Sequence, residues 1–108
     1  MPAYLGEFEQ LVLLAVLKLD EQATGGAIRA AIADGSRRVV WIGAVHTTLE
    51  RLEMKGLVRS RVVPGAAPNG RRRKLYALQP AGRAAICHAY LTWVRMTHGL
   101  KPKLESSS

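Results

Sequence analysis

The apolar positions of the chain fall into blocks separated by polar, glycine-rich or proline-rich breaks. From Glu7 onward, Phe8, Leu11, Val12, Leu13, Leu14, Ala15, Val16, Leu17 and Leu19 leave little polar face, which predicts a helix covered on several sides. Glu7 and Glu9 suit its first turn, where carboxylates complement the positive end of the helix dipole. The chain turns over 20–23, and Thr24 is placed to cap a second helix running through Ala27, Ile28, Ala31 and Ile32 and ending near Asp34 and Gly35. Gly25 and Gly26 are weak helix formers, and the pair suggests either close approach by another backbone, which fits a compact helix pair, or a loosely held first turn. Over 43–58, Ala44, Val45, Thr48, Leu49, Leu52 and Leu57 recur at helical spacing until Gly56 supplies a stop. An alternating RSRVV at 59–63, a turn-rich PGAAPNG and RRRKLYAL at 71–78 then predict a two-stranded hairpin. Asn69 and Gly70 favour its turn, while Pro64 and Pro68 interrupt the connection. Pro80 opens a final helix to about His98, and Gly99 and Pro102 stop it.

This order predicts a mainly α fold with a small β-hairpin: a winged helix-turn-helix over 1–79, a dimerisation helix over 80–98 and a flexible tail over 99–108. In such a fold the third helix enters a major groove and the hairpin lies along the nucleic-acid backbone. Val45, Thr48, Leu49 and Leu52 form its docking side, with Leu57 and Val58 sealing the exit into the wing. Gly43, His46, Thr47, Glu50 and Arg51 are placed for exposure, and Gly43, His46, Thr47 and Arg51 are the candidate recognition residues. His46 can reach a base edge or a phosphate, or stand as a solvated helix residue, and Thr47 offers a hydroxyl and a methyl. Arg51 can touch phosphate or pair locally with Glu50 or Glu53. Trp41, just before this helix, is open between core or hinge packing, a DNA-side role and contact with a ligand or partner.

Charge sharpens the picture. The 108-residue chain carries 16 Lys plus Arg against 8 Asp plus Glu, a formal charge of +8, which favours a polyanionic partner without fixing any sequence preference. Arg59 and Arg61 share one face of the first strand, and Arg71, Arg72, Arg73 and Lys74 crowd the start of the second. They fit backbone contact with nucleic acid, or an edge protected from unwanted pairing. Arg37 and Arg38 add two cations between the second and third helices. Tyr76 and Leu78 are expected to face inward. The single cysteine forms no intramolecular disulfide, and neither a signal peptide nor a membrane-spanning run is evident, so a cytoplasmic location is expected. Catalysis finds no support: Glu50 and Glu53 lie among cations, and Cys87 and His88 point in different directions on a helix with His98 more than two turns from Cys87. No metal and no cofactor are expected.

The last helix is apolar over a wide arc. Ile86, Ala89, Tyr90, Trp93 and Thr97 form one stripe, extended by Cys87, Leu91 and Val94. A core built from the earlier helices covers only one side, so the remainder favours a second subunit. Leu5, Phe8, Tyr90, Leu91, Trp93 and Val94 are the candidate dimer contacts.

Three segments together, LGEFEQLVLLAVL from Leu5, GAVHTTLERLEMKGLV from Gly43 and GRRRKLYALQPAG from Gly70, resemble the PadR family of bacterial transcriptional regulators. The resemblance spans roughly 5–95. It implies a dimeric winged-helix DNA binder, commonly a repressor, in the short form with a single carboxy-terminal helix. It also implies His46, Thr47 and Arg51 on the recognition helix, Arg71–Lys74 on the wing, and Trp93 in the helix that in some relatives lines a hydrophobic cavity at the dimer centre. Two positions depart from the family pattern: His46 stands in place of the usual Tyr, and Thr24 and Gly26 replace the two aromatics flanking Gly25. The expected function is sequence-specific binding of double-stranded DNA by a homodimer at a pseudo-palindromic operator, with a small aromatic or hydrophobic effector as one means of release. A protein-association module and an RNA binder without operator specificity are the alternatives.

Overall fold

The computed structural model describes residues 4–65, 70 and 72–106. Its elements run α1 (Glu7–Leu19), a short 3-10 turn (Asp20–Gln22), α2 (Gly25–Ser36), α3 (Ile42–Met54), β1 (Val58–Val63), β2 (Arg73–Leu78), α4 (Pro80–Thr97) and α5 (Lys101–Glu105). The fold is mainly helical with one two-stranded antiparallel sheet, as expected.

Local signals set most boundaries. The Thr24 hydroxyl accepts the Ala27 N–H at 3.2 Å, capping α2. Gly56 adopts a positive φ of 76°, and beyond it the Leu57 N–H reaches back to the Leu52 carbonyl at 2.9 Å, so the chain leaves α3 in a left-handed glycine turn that satisfies the last carbonyls. At the end of α2 the left-handed residue is Arg37 (φ 60°), its N–H bonded to the Ala33 carbonyl at 3.0 Å. That helix therefore continues through Gly35 and stops at Ser36, later than the sequence suggests.

The core is assembled from one stripe of each early helix. Val12, Leu13 and Val16 of α1, Ile28 and Ile32 of α2, and Val45, Leu49 and Leu52 of α3 are buried, joined by Leu57, Val58, Tyr76, Ala85 and Ile86. Full burial of each large aliphatic side chain contributes roughly 1.5–3 kcal/mol before conformational entropy is counted. Leu14 remains 44% exposed, so α1 is not enclosed on every side.

The hairpin is fixed to this core at its base. Val58 pairs with Leu78 and Val63 with Arg73 in unbroken antiparallel register. The Tyr76 N–H bonds the Ala23 carbonyl at 2.9 Å, which ties β2 to the α1–α2 connection, and the Gln79 N–H bonds the Leu57 carbonyl at 2.9 Å. Tyr76 is buried and Leu78 packs partly buried against the core, as expected. The next turn brings Gly82 of α4 over that same Leu57 carbonyl, so close that a Cβ at position 82 would collide with it.

At three places the local structure differs from the simplest reading of the sequence. Leu5, a candidate dimer contact, lies within its own chain's core at 8% exposure. The stretch expected to be a flexible tail forms the helical turn α5 (Lys101–Glu105), with the Ser106 N–H closing on Pro102. The strands begin at Val58 and Arg73, while Ala66, Ala67, Pro68, Asn69 and Arg71 lie outside the described residues.

Candidate nucleic-acid interface

α3 is the second helix of the helix-turn-helix. With Val45, Thr48, Leu49 and Leu52 buried, the helical repeat brings Gly43, Thr47, Glu50 and Met54 to the opposite, exposed side. A Cβ on Gly43 would meet nothing within 4 Å, so the first turn of this face is open.

Both flanks of α3 are engaged by neighbouring helices. On one side the His46 ring fills the space above Gly25: a Cβ there would stand 2.7 Å from the imidazole Cε1. The close approach at the start of α2 therefore involves a side chain, not a backbone, and an exposed His46 is positioned by that glycine. On the other side Arg51 Nε donates to Glu9 Oε2 at 3.2 Å and Lys55 Nζ donates to the same oxygen at 2.8 Å. Glu9 Oε1 accepts the Gly6 N–H at 3.0 Å. Burial pushes the Glu9 carboxyl up, but the bonds from Lys55, the Gly6 amide and Arg51 outweigh it and hold the group below its ordinary value.

Arg51 is thus joined to α1 instead of pairing with Glu50 or Glu53. Glu53 accepts from Ser60 Oγ at 2.8 Å, which ties the end of α3 to β1. Arg37 is exposed, and Arg38 reaches Glu7 at 3.0 Å between two largely exposed side chains, a pair that contributes roughly 0–1 kcal/mol.

Strand alternation divides the wing cations. Arg59, Arg61 and Arg73 fall on one face of the hairpin, and Lys74 falls on the other, its ammonium 5.6 Å from the centre of the Tyr76 ring. Arg59 and Arg61 are exposed and share a groove of about 430 Å³ with Asp20 and Glu21, so acids moderate that face at the hairpin base. Arg72 is exposed just before β2, and Arg71 lies outside the described residues.

The carboxy-terminal candidates occupy one region. Tyr90, Leu91, Trp93 and Val94 are all exposed on the outer half of α4, joined by Met96, while Phe8 packs partly buried against the core. Sequence reasoning missed Glu9 as the partner of Arg51 and Met54 as an outward residue. Met54 was legible in the helical repeat, whereas the Glu9 contact spans 42 positions and has no local signal.

A helix-turn-helix with an open outer face, continued into a cationic hairpin, defines a winged-helix protein of the DNA-binding class. Residues 13–88 match the Transcriptional regulator PadR-like family, and the chain belongs to that family. It is accordingly a PadR-like DNA-binding transcriptional regulator, and this membership, not any missing constellation, stands against an enzyme. The fold is similar to a PadR family transcription regulator from Clostridium difficile R20291, with 22% identity, 92% of this chain and 99% of that chain covered, and a TM-score of 0.74. It is also similar to a PadR family transcriptional regulator from Eggerthella lenta DSM 2243, with 25% identity, 92% and 87% coverage and a TM-score of 0.66. A third similar structure is that of Bordetella bronchiseptica BpsR, with 22% identity, 95% and 73% coverage and a TM-score of 0.65; its DNA binding is regulated by 6-hydroxynicotinic acid. No curated protein matches the chain. Among the described residues no helix is long and apolar enough to cross a membrane, and no group of three or more His, Cys, Asp or Glu is placed to hold a metal ion.

Proposed function

We propose that this chain is a homodimeric repressor that binds double-stranded DNA at a pseudo-palindromic operator. The observation that carries the reading is the outward face of α3, where Gly43 and Thr47 stand open, together with the exposed cations of the wing. Thr47, with His46 held at the flank by Gly25, contributes base selectivity. Arg37, Arg59, Arg61, Arg72, Arg73 and Lys74 contribute the salt-sensitive phosphate contacts, and Arg71 belongs to the same cationic run in sequence. Arg38 and Arg51, each opposed by a carboxylate, contribute less.

In this reading residues 1–79 read DNA and 80–98 dimerise. Tyr90, Leu91, Trp93 and Val94 meet their counterparts, and the two α3 helices lie about 34–36 Å apart, one turn of DNA. A small aromatic or hydrophobic effector binding near Trp93 releases the operator only if it favours one arrangement of the two DNA-binding units over the other. Ligand control of this kind is supported by BpsR, a similar fold whose DNA binding is regulated by 6-hydroxynicotinic acid.

The test is recovery of genomic fragments by the purified chain at near-physiological salt, with Arg61→Ala/Arg72→Ala/Lys74→Ala as control. An enriched inverted repeat, lost in the control, supports the reading. The slope of log affinity against log salt should become shallower by roughly 5.4 for the dimer, about 2.7 for each protomer, if all three cations neutralise phosphates. Absence of enrichment by folded dimer would sink operator binding by the free protein.

A further inference from the structure

From the α2–α3 connection into the first residue of α3, most of the apolar residues turn outward. Val40 is buried, while Val39, Trp41 and Ile42 are exposed, Trp41 to 74%. Trp41 is also the residue that caps α3, with extended backbone (φ −86°, ψ 134°) and no side-chain bond to the first turn. Its indole has a donor but no acceptor, so it cannot satisfy the helix amides as a Ser, Thr, Asp or Asn would. Neither solvation nor helix stability accounts for an aromatic at this point. A partner does.

We propose that Trp41, flanked by Val39 and Ile42, is an apolar reading edge that packs against thymine 5-methyl groups in the major groove. The inference rests on the DNA-binding reading above. It goes beyond that reading by assigning specificity to residues at and just before the start of α3. Two features select this occupant. The edge is continuous in the chain with Gly43, the open start of the outward face of α3. It directly follows the exposed cation Arg37 and the surface-paired Arg38, of which Arg37 above all suits a flanking phosphate around a methyl-bearing groove floor. A second copy seated on the same edge would bring these arginines against their own counterparts, and like charges oppose that pairing.

The experiment compares the operator fragment recovered by the wild-type chain with the same duplex carrying deoxyuridine for thymidine, which removes only the methyl groups. Wild type should bind the uridine duplex about fourfold more weakly for each methyl it covers. Trp41→Ser should bind the two duplexes equally and melt no lower than wild type, because a hydroxyl now caps α3; Trp41→Phe should keep most of the discrimination. Equal binding of both duplexes by wild type, or discrimination retained by Trp41→Ser, overturns the proposal. So does a change in Trp41→Ser from dimer to monomer on sedimentation, which would make the edge an interface between copies. Failure of wild type to bind any duplex overturns the parent reading, and this inference with it.

Discussion

The third and fourth helices are each covered on one side, yet what they leave uncovered is opposite in kind. α3 presents Gly43, Thr47 and Glu50, small or polar, between the apolar Ile42 and Met54 at its two ends, and its flanks are engaged by Gly25 and Glu9. α4 buries Gly82, Ala85 and Ile86 in its first turns and then exposes Tyr90, Leu91, Trp93, Val94 and Met96. A polar face with occupied flanks keeps its shape in water and suits a hydrogen-bonding polyanion. An aromatic face of this width suits another apolar surface. One chain thus leaves two surfaces of opposite chemistry, and α4, which carries the second, is seated against α1 and on the base of the hairpin.

The largest expected effect comes from breaking that seat. Gly82→Ala directs a methyl into the Leu57 carbonyl, which also accepts the Gln79 N–H, so neither partner can yield without separating α4 from β1. The expected cost is about 3 kcal/mol, and the melting temperature should fall by roughly 10 °C or more. Gly35→Ala is the control: nothing lies within 4 Å of its Cβ position inside α2, so it should stabilise by about 0.5–1 kcal/mol. Equal behaviour of the two variants in thermal melts would show that α4 is not seated as described.

The outer half of α4 should respond differently. Trp93 is 61% exposed within its own chain, so Trp93→Ala should leave the monomer fold intact. If this face joins two copies, the substitution should weaken the dimer by about 2 kcal/mol, roughly 30-fold in dissociation constant by sedimentation. A loss of stability independent of protein concentration, with association unchanged, would instead mean that this half packs within the chain.

How far these differences can be read from sequence depends on the range of the interaction. Apolar periodicity announced all four main helices, Gly56 marked the stop of α3, Thr24 marked the cap of α2, and the inward Tyr76 followed from strand alternation, because each is settled within a turn or a pair of strands. Trp93 and its neighbours stood out as more apolar surface than one small core covers. By contrast, the burial of Glu9, the glycine beneath His46 and the carbonyl beneath Gly82 depend on residues far apart in sequence, and composition is silent about them. The burial of Leu5 in its own chain was hidden for the same reason: an apolar residue beside a helix start is equally suited to its own core and to a partner, and only the path of the chain decides. Arg51 was placed correctly on α3, but a neighbour 42 positions away redirects its charge.

The smallest of these effects tests the occupied flank of α3. Glu9→Gln keeps the shape but removes the charge shared by Arg51, Lys55 and the Gly6 amide, at an expected cost of about 1–2 kcal/mol because both cations are partly exposed. The pH dependence gives the signature. Glu9 titrates below its ordinary 4.5 in the folded chain, so its contribution is fully present above that value and is lost as pH falls through the lower folded value. The stability gap between wild type and variant should therefore be constant near neutrality and close on acidification below 4.5, as measured by urea unfolding at a series of pH values. The same variant leaves Arg51 and Lys55 without an opposing carboxylate, so non-specific DNA affinity at low salt should rise while stability falls. A gap that persists unchanged into acid would mean that Glu9 matters for its packing alone, and the flank of α3 would then be held by shape without the ion pairs.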